Sequence, residues 1–525
     1  MRAGTMGEQM TTHQSAAAVA GTAPTAARLE PDAIGVAQDT LIGMATSAPT
    51  ASVGLTLAAV AAAAAYASGI VIILTAIPML IIANAYRRLN MWNANCGAAF
   101  EWVGRSISPS FGFMTGWLMI MGGIIGTVST AVVLGPSVLA IFGSSSTAVL
   151  PNVTIDTVVI LVMLVIAIVG IRITARTQVG IGLIEYLILI GIALVGLFLV
   201  ITHHPGTYPI TRGWFSISGV GGHGSLAAGF LLAMFMYTGW DGTIYVNEEV
   251  KHRRTNPGRA AILAVLFLAV IYTVSVVGLQ GVVSPAKLQA NGPSALVYVS
   301  GVIGGSSWSK VMALGLALCV IATTGTGIVL TSRIIYGMAS HRVLPEFLAN
   351  VNRRFATPVA ASIVVGLVLL LSTWGYLFAT SLANAFNDLI ALTGLLYAAF
   401  YILTAFSAIT YYRRRVAGSL FDAIILGVLP LAAAGWLIWV LTKSLMAAPG
   451  SQRWAMVAIV GIGVILLFSA RFIQHSPFFR IPRESDGVIH TPGRRRAPRQ
   501  VQRKRAQAAR QAARQAARQQ AYRAR

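Results

Sequence analysis

Apolar runs long enough to cross a bilayer, separated by short polar connectors, fill most of the chain. A span needs about 20 residues, and such runs fall near 41–65, 68–87, 111–142, 154–172, 178–202, 224–247, 260–283, 308–336, 358–380, 386–412, 421–444 and 452–473. This pattern predicts an all-α polytopic membrane protein with about twelve transmembrane helices. The connectors alternate in charge. One set carries Arg87, Arg88, Arg105, Arg172, Arg176, Lys251, Arg253, Arg254, Arg259, Arg333, Arg342, Arg353, Arg354 and Arg413 to Arg415. The other carries only Arg212, Lys287, Lys310, Lys443 and Arg453. The positive-inside rule places the first set in the cytoplasm. Both termini then lie on the cytoplasmic side of the cytoplasmic membrane, as an even span count requires.

Composition agrees with this layout. The 525 residues are 56% hydrophobic and 10% charged, whereas a soluble domain carries about 25% charged residues. The net charge of +23 resembles a nucleic-acid signal. Its placement in alternate connectors and after Arg471 argues for topology instead, and no nucleic-acid partner is expected. Residues 1–33 are polar and rich in Ala, Thr and Gly, so they read as a disordered cytoplasmic tail. Residues 34–476 form the transmembrane domain and 477–525 a basic cytoplasmic tail. Arg510, Arg514 and Arg518 in that tail share a helical stripe, which suits either contact with anionic lipid or a solvated basic tail. Cys96 and Cys319 imply no disulfide framework and no metal cluster. The eight histidines lack metalloenzyme spacing and no nucleophile elbow is present, so neither enzyme chemistry nor a cofactor is expected.

Two spans are interrupted at corresponding places. The first contains Thr46, Ser47, Ala48, Pro49 and Thr50; the sixth contains Met236, Tyr237, Thr238, Gly239, Trp240, Asp241 and Gly242. Proline removes a backbone donor, glycine weakens a helix, and an intramembrane aspartate costs roughly 2.5–3.5 kcal/mol unless it faces a cavity or a partner. Paired breaks five spans apart point to a transporter site, in which half-helix termini offer N–H groups to a carboxylate and freed carbonyls accept from an ammonium. Two ordinary kinked helices are the plainer reading.

The motifs around these breaks are similar to a known family. Residues 95–105 read Asn-Cys-Gly-Ala-Ala-Phe-Glu-Trp-Val-Gly-Arg, and 170–178 read Gly-Ile-Arg-Ile-Thr-Ala-Arg-Thr-Gln. Tyr237 to Asp241 are followed by Glu248, Glu249 and the run Arg253 to Arg259. Ser332, Arg333 and Tyr336 precede Leu344-Pro345 and Thr357-Pro358. Over residues 34–475 the chain resembles the amino acid–polyamine–organocation superfamily of permeases. The resemblance implies a five-plus-five inverted repeat with broken helices 1 and 6 and two further helices. It implies a small amino acid or amine as substrate, its carboxylate at Thr46, Ser47, Ala48 and Pro49. Its amine would meet carbonyls of Met236, Tyr237, Thr238 and Gly239. Neutral amino acid, cationic amino acid and polyamine all stay open, as does a receptor that binds without transporting.

Further residues carry two readings each. Asp241 is a counter-ion for a cationic substrate or a hydrogen-bond partner of the frayed backbone. Trp240 is an aromatic lid or core. Glu185, where the resemblance implies a lysine in proton-coupled members, is a proton-coupling acid or an interhelical hydrogen-bond partner. A proton is favoured over sodium as the coupling ion, since Thr323, Thr324 and Thr326 read as bonding their own helix backbone. Gly122 and Gly126 read as a close-packing face. Glu248 and Glu249 are expected to pair with Arg253 and Arg254.

Overall fold

The computed structural model describes residues 28–144, 148–217, 222–379, 382–486 and 488–490. Residues 1–27 and 491–525, most of both tails and all of the arginine stripe, lie outside them. Among the described residues, eleven helices are long and apolar enough to cross a membrane. The segment expected as the sixth span holds a shorter apolar helix, Leu226–Met236, followed by a break. The protein is therefore a multi-pass α-helical membrane protein.

In chain order the helices are α1 (Val36–Thr46) and α2 (Pro49–Ala64), the two halves of the first span, and α3 (Ser68–Trp92). The short α4 (Ala99–Ser106) follows, then α5 (Pro109–Ile141), α6 (Val149–Val169) and α7 (Ile171–Ile201). The sixth span is α8 (Gly222–Met236) with one turn of α9 (Gly242–Tyr245). After it come α10 (Asn256–Gln280), α11 (Ala295–Ser340), α12 (Val359–Ala379), α13 (Leu382–Gly418), α14 (Leu420–Ala447) and α15 (Gly450–Ile473). Helix α11 is two helices joined at a bend, where Gly305 adopts φ +77°.

Burial separates the centre from the periphery. Helices α1, α2, α11 and α13 are mostly buried inside the protein, whereas α6, α7, α12, α14 and α15 turn much of their apolar surface outward. Outward leucine and isoleucine are unfavourable in water and natural in lipid. Helix α3 packs on α10, α7 on α11, α5 on α13, and α2 on both α8 and α11. Small residues allow these approaches: a Cβ on Gly122 would lie 3.2 Å from the Tyr397 ring, and one on Gly126 3.4 Å from Thr393.

The arginine-rich face is tied together across long sequence distances. Ala33 and Ile34 donate to the Glu249 carbonyl, and Lys251 donates back to Ile34. Asn90 donates to the Arg253 carbonyl at 2.8 Å. The chain after α15 folds back over this face. Phe478 is buried and stacks on Phe100 of α4 at 4.3 Å. Beyond it, β1 (Arg483–Ser485) pairs antiparallel with β2 (Val488–His490).

Candidate functional site

The first span breaks because its backbone runs out of helical partners. Ala48 adopts φ +47°, and Pro49 opens α2 without an N–H to offer. Every amide of the break has an acceptor. Ser47 donates to the Gly43 and Met44 carbonyls, Ala48 to Ala45, and Ser52 to Ala48. The first two amides of α2 go elsewhere: Thr50 to Glu185 Oε1 at 3.4 Å, and Ala51 to Cys319 Sγ at 3.4 Å. Glu185 on α7 thus sits at the positive end of a half-helix, with its other oxygen unpartnered and the side chain fully buried.

The sixth span breaks at Gly239, which adopts φ +101°. A Cβ there would also lie 2.7 Å from the Thr46 backbone. Glycine is therefore required twice, for its backbone angle and for the contact between the two breaks. Gly43 and Gly242 permit the same approach, their added Cβ atoms falling 2.9 Å from the Trp240 carbonyl and 3.0 Å from Thr46 Oγ1. Tyr272 of α10 joins the breaks from the side. Its hydroxyl lies 2.6 Å from the Met236 carbonyl and 3.3 Å from that of Ser47.

Between the breaks lies a cavity of about 40 Å³, room for a few waters. Thr46, Ser47, Ala48 and Thr238 line it, joined by Thr127 and Thr130 of α5, Thr323 and Thr331 of α11, Thr393 and Tyr397 of α13, and Tyr245. The wall is rich in hydroxyls and holds no charged side chain.

The other anticipated residues surround this cavity without lining it. Pro49 starts α2 beside it, and the Met236 carbonyl is taken by Tyr272. Tyr237 directs its hydroxyl to the Ile72 carbonyl at 3.3 Å. Trp240 is fully buried, stacked on Tyr401 at 5.4 Å and edge-on to Tyr86. Asp241 is fully buried too, with both oxygens engaged: Oδ1 accepts from Tyr401 at 2.9 Å and Oδ2 from Tyr245. Tyr245 also lines the cavity, and so stands between Asp241 and that space. Thr324 and Thr326 bond their own helix, whereas Thr323 donates within reach of both Cys319 O (2.9 Å) and Ala45 O of the first break (3.0 Å).

One expected pairing is corrected. Glu249 grips Arg333 of α11 with two bonds of 3.1 and 3.0 Å, both side chains fully buried, and Glu248 accepts from the Cys96 amide at 3.0 Å. Neither forms an ion pair with Arg253 or Arg254 among the described residues. The Glu249 partner is 84 residues away, and only the fold brings it near. Sequence reasoning also missed Tyr272, Tyr401, Thr331 and Thr393. Tyr245 was within reach of it, because a residue four after Asp241 shares its helical face.

Known proteins resemble this chain in sequence. The mouse Asc-type amino acid transporter 1 is 30% identical over 141 residues, 27% of this chain and 26% of that protein. The Arabidopsis thaliana vacuolar cationic amino acid transporter 4 is 21% identical over 287 residues, 52% of this chain and 47% of that protein. The rabbit (Oryctolagus cuniculus) large neutral amino acids transporter small subunit 2 is 27% identical over 148 residues, 28% and 27% of the two lengths. The matches thus span about a quarter to a half of these relatives. The family described as amino acid permease matches residues 38–473, both breaks included. That match covers most of the chain, which belongs to the amino acid permease family of the amino acid–polyamine–organocation superfamily.

Proposed function

We propose that this protein is a secondary active transporter of a small neutral amino acid, working by alternating access in the cytoplasmic membrane with its arginine-rich face inside. The observation that carries this reading is the contact of two helix breaks around a hydroxyl-lined cavity. Irregular backbone at membrane depth is tolerated where it is buried or lines a cavity, and in transporters it frames the solute site. The described conformation is a closed one: about 40 Å³ is far below the roughly 300 Å³ of a typical ligand pocket. The uncharged wall favours a zwitterion over a cation. Asp241 would answer a cationic substrate only if Tyr245 or Tyr401 released it. The five-plus-five inverted repeat supplies the two moving halves.

Glu185 serves as the proton-coupling acid. It already holds the Thr50 amide at the N-terminus of α2, where an incoming carboxylate would seek its donors. Two carboxylates sharing one site do not both stay ionised in a low-dielectric interior. Arrival of the substrate carboxylate therefore favours a proton on Glu185, which releases the half-helix amide to the substrate. Carrying one charge through 100 mV contributes about 2.3 kcal/mol, roughly fifty-fold accumulation.

Proteoliposome uptake of labelled alanine, arginine and putrescine, with and without an inward proton gradient, tests this. Wild type is expected to accumulate alanine only with the gradient. Glu185→Gln should keep alanine exchange and lose gradient-driven accumulation, and Asp241→Asn should keep alanine uptake. Uptake of arginine or putrescine abolished by Asp241→Asn would replace the neutral reading with the cationic one. Saturable alanine binding without flux would make the protein a receptor.

A further inference from the structure

On the arginine-rich side, a groove of about 440 Å³ opens between α3 and α14. Its walls are apolar, with Leu80 and Ile81 from α3 and Phe421, Ile425 and Leu429 from α14. Its base is cationic, formed by Arg87 and Arg88. Asn84 holds Arg87 in place, accepting from Nε at 3.2 Å and Nη2 at 2.9 Å. Arg88 Nε is buried without a hydrogen-bond partner. Arg259, at the start of α10, adds a third like charge to the field at Arg87.

Among the described residues no carboxylate forms an ion pair with Arg87, Arg88 or Arg259. Asp422, next to Phe421, takes part in none either. Adjacent guanidiniums with an unsatisfied N–H are unfavourable unless an anion joins them, and a phosphate suits them because the guanidinium fork binds it through paired hydrogen bonds. The surroundings narrow the occupant further. Leu80 lies seven residues before Arg87, about 10 Å deeper along the helix, so an anion at the base has an apolar channel above it. Phe421 is 65% exposed at the groove wall, which in a bilayer means contact with lipid.

We propose that this groove is a binding site for one anionic phospholipid, its phosphate held by Arg87 and Arg88 and an acyl chain lying between α3 and α14. A zwitterionic phosphatidylcholine would bring a trimethylammonium against Arg87 and Arg88, so the site discriminates by headgroup charge. The bound lipid bridges α14 to α3, which also packs on α10.

The test uses the full-length protein with its basic tail intact. Native mass spectrometry from mild detergent is expected to retain one phosphatidylglycerol on the wild type. Adding phosphatidylglycerol should raise the midpoint of thermal unfolding by several degrees, and phosphatidylcholine should not. Arg87→Gln/Arg88→Gln should lose both the retained lipid and the shift. So should Leu80→Trp/Ile425→Trp, which fills the channel and leaves the arginines untouched, and which serves as the second variant if the first fails to fold. An equal shift with phosphatidylcholine, an equal shift with inorganic phosphate alone, or an undiminished response in a folded groove variant would overturn the proposal.

Discussion

At the scale of single residues, the decisive constraint is backbone space. Gly239 combines a left-handed φ with a neighbour where Cβ would stand, whereas Gly305 has φ +77° and nothing within 4 Å. Alanine at either position adopts a strained angle, which costs of order 1–3 kcal/mol; at 239 it must also push Thr46 away. Gly239→Ala is thus expected to lower the thermal unfolding midpoint clearly more than Gly305→Ala and to abolish uptake. Gly305→Ala should keep uptake, because it lies at a bend remote from the breaks. Equal midpoints would mean that the two breaks do not bear on each other as described. Gly239 was legible in the sequence for the same reason: glycine and proline state backbone requirements locally. The distant partners of Asp241 and Glu249 were not, because Tyr401 and Arg333 lie 160 and 84 residues away.

At the scale of elements, the apolar pattern located every span, since a bilayer demands continuous apolar length and sequence records length directly. It said nothing of how the connectors dock. The segment after α15 shows the difference. Phe478 enters a pocket that exists because residue 104 is glycine, a Cβ there falling 2.5 Å from the Phe478 ring. Arg105 binds Glu484 at 2.8 Å, and Ser476 donates to the His341 carbonyl at 2.9 Å. Glu101 of α4 organises this junction, 2.6 Å from His341 and 3.0 Å from Arg105. Burial alone would raise its carboxyl. The His341 hydrogen bond and charge, with Arg105 and Asn93, outweigh burial and hold it below the usual 4.5. A carboxyl lowered in the folded state stabilises fully above its unfolded value and ceases to as the pH falls through its folded value. Docking of residues 476–486 should therefore be intact at neutral pH and loosen only below about 4.5. Hydrogen exchange across 99–106 and 477–486 reads this directly. Glu101→Gln should exchange faster at pH 7 and lose most of the acid dependence; an acid response unchanged in that variant would assign it to another group.

At the scale of the whole molecule, the proposed alternating access asks what must break for the arginine-rich face to open. The Arg333–Glu249 pair is the one ion pair among the described residues with both side chains fully buried, and it joins α11 to the chain leaving the sixth span. A buried ion pair is a peculiar latch. Its desolvation penalty offsets much of its attraction, so it adds little net stability to the closed state, yet water repays that penalty once the face opens. A charged latch would thus keep closed and open states near balance, which suits the proposed cycle. An apolar latch of similar volume would favour closure alone, since it gains by burial and loses on exposure. Arg333→Met is expected to destabilise the protein by about 3–5 kcal/mol, because it strands Glu249 without a partner. Arg333→Met/Glu249→Leu should recover the unfolding midpoint or exceed it while slowing alanine uptake by an order of magnitude or more. Stability and turnover would then move in opposite directions, which loss of a purely structural tie does not produce. A double variant that is both stable and as fast as wild type would place the opening elsewhere on this face, with the backbone bridge between Ile34 and Val250 the next tie to cut.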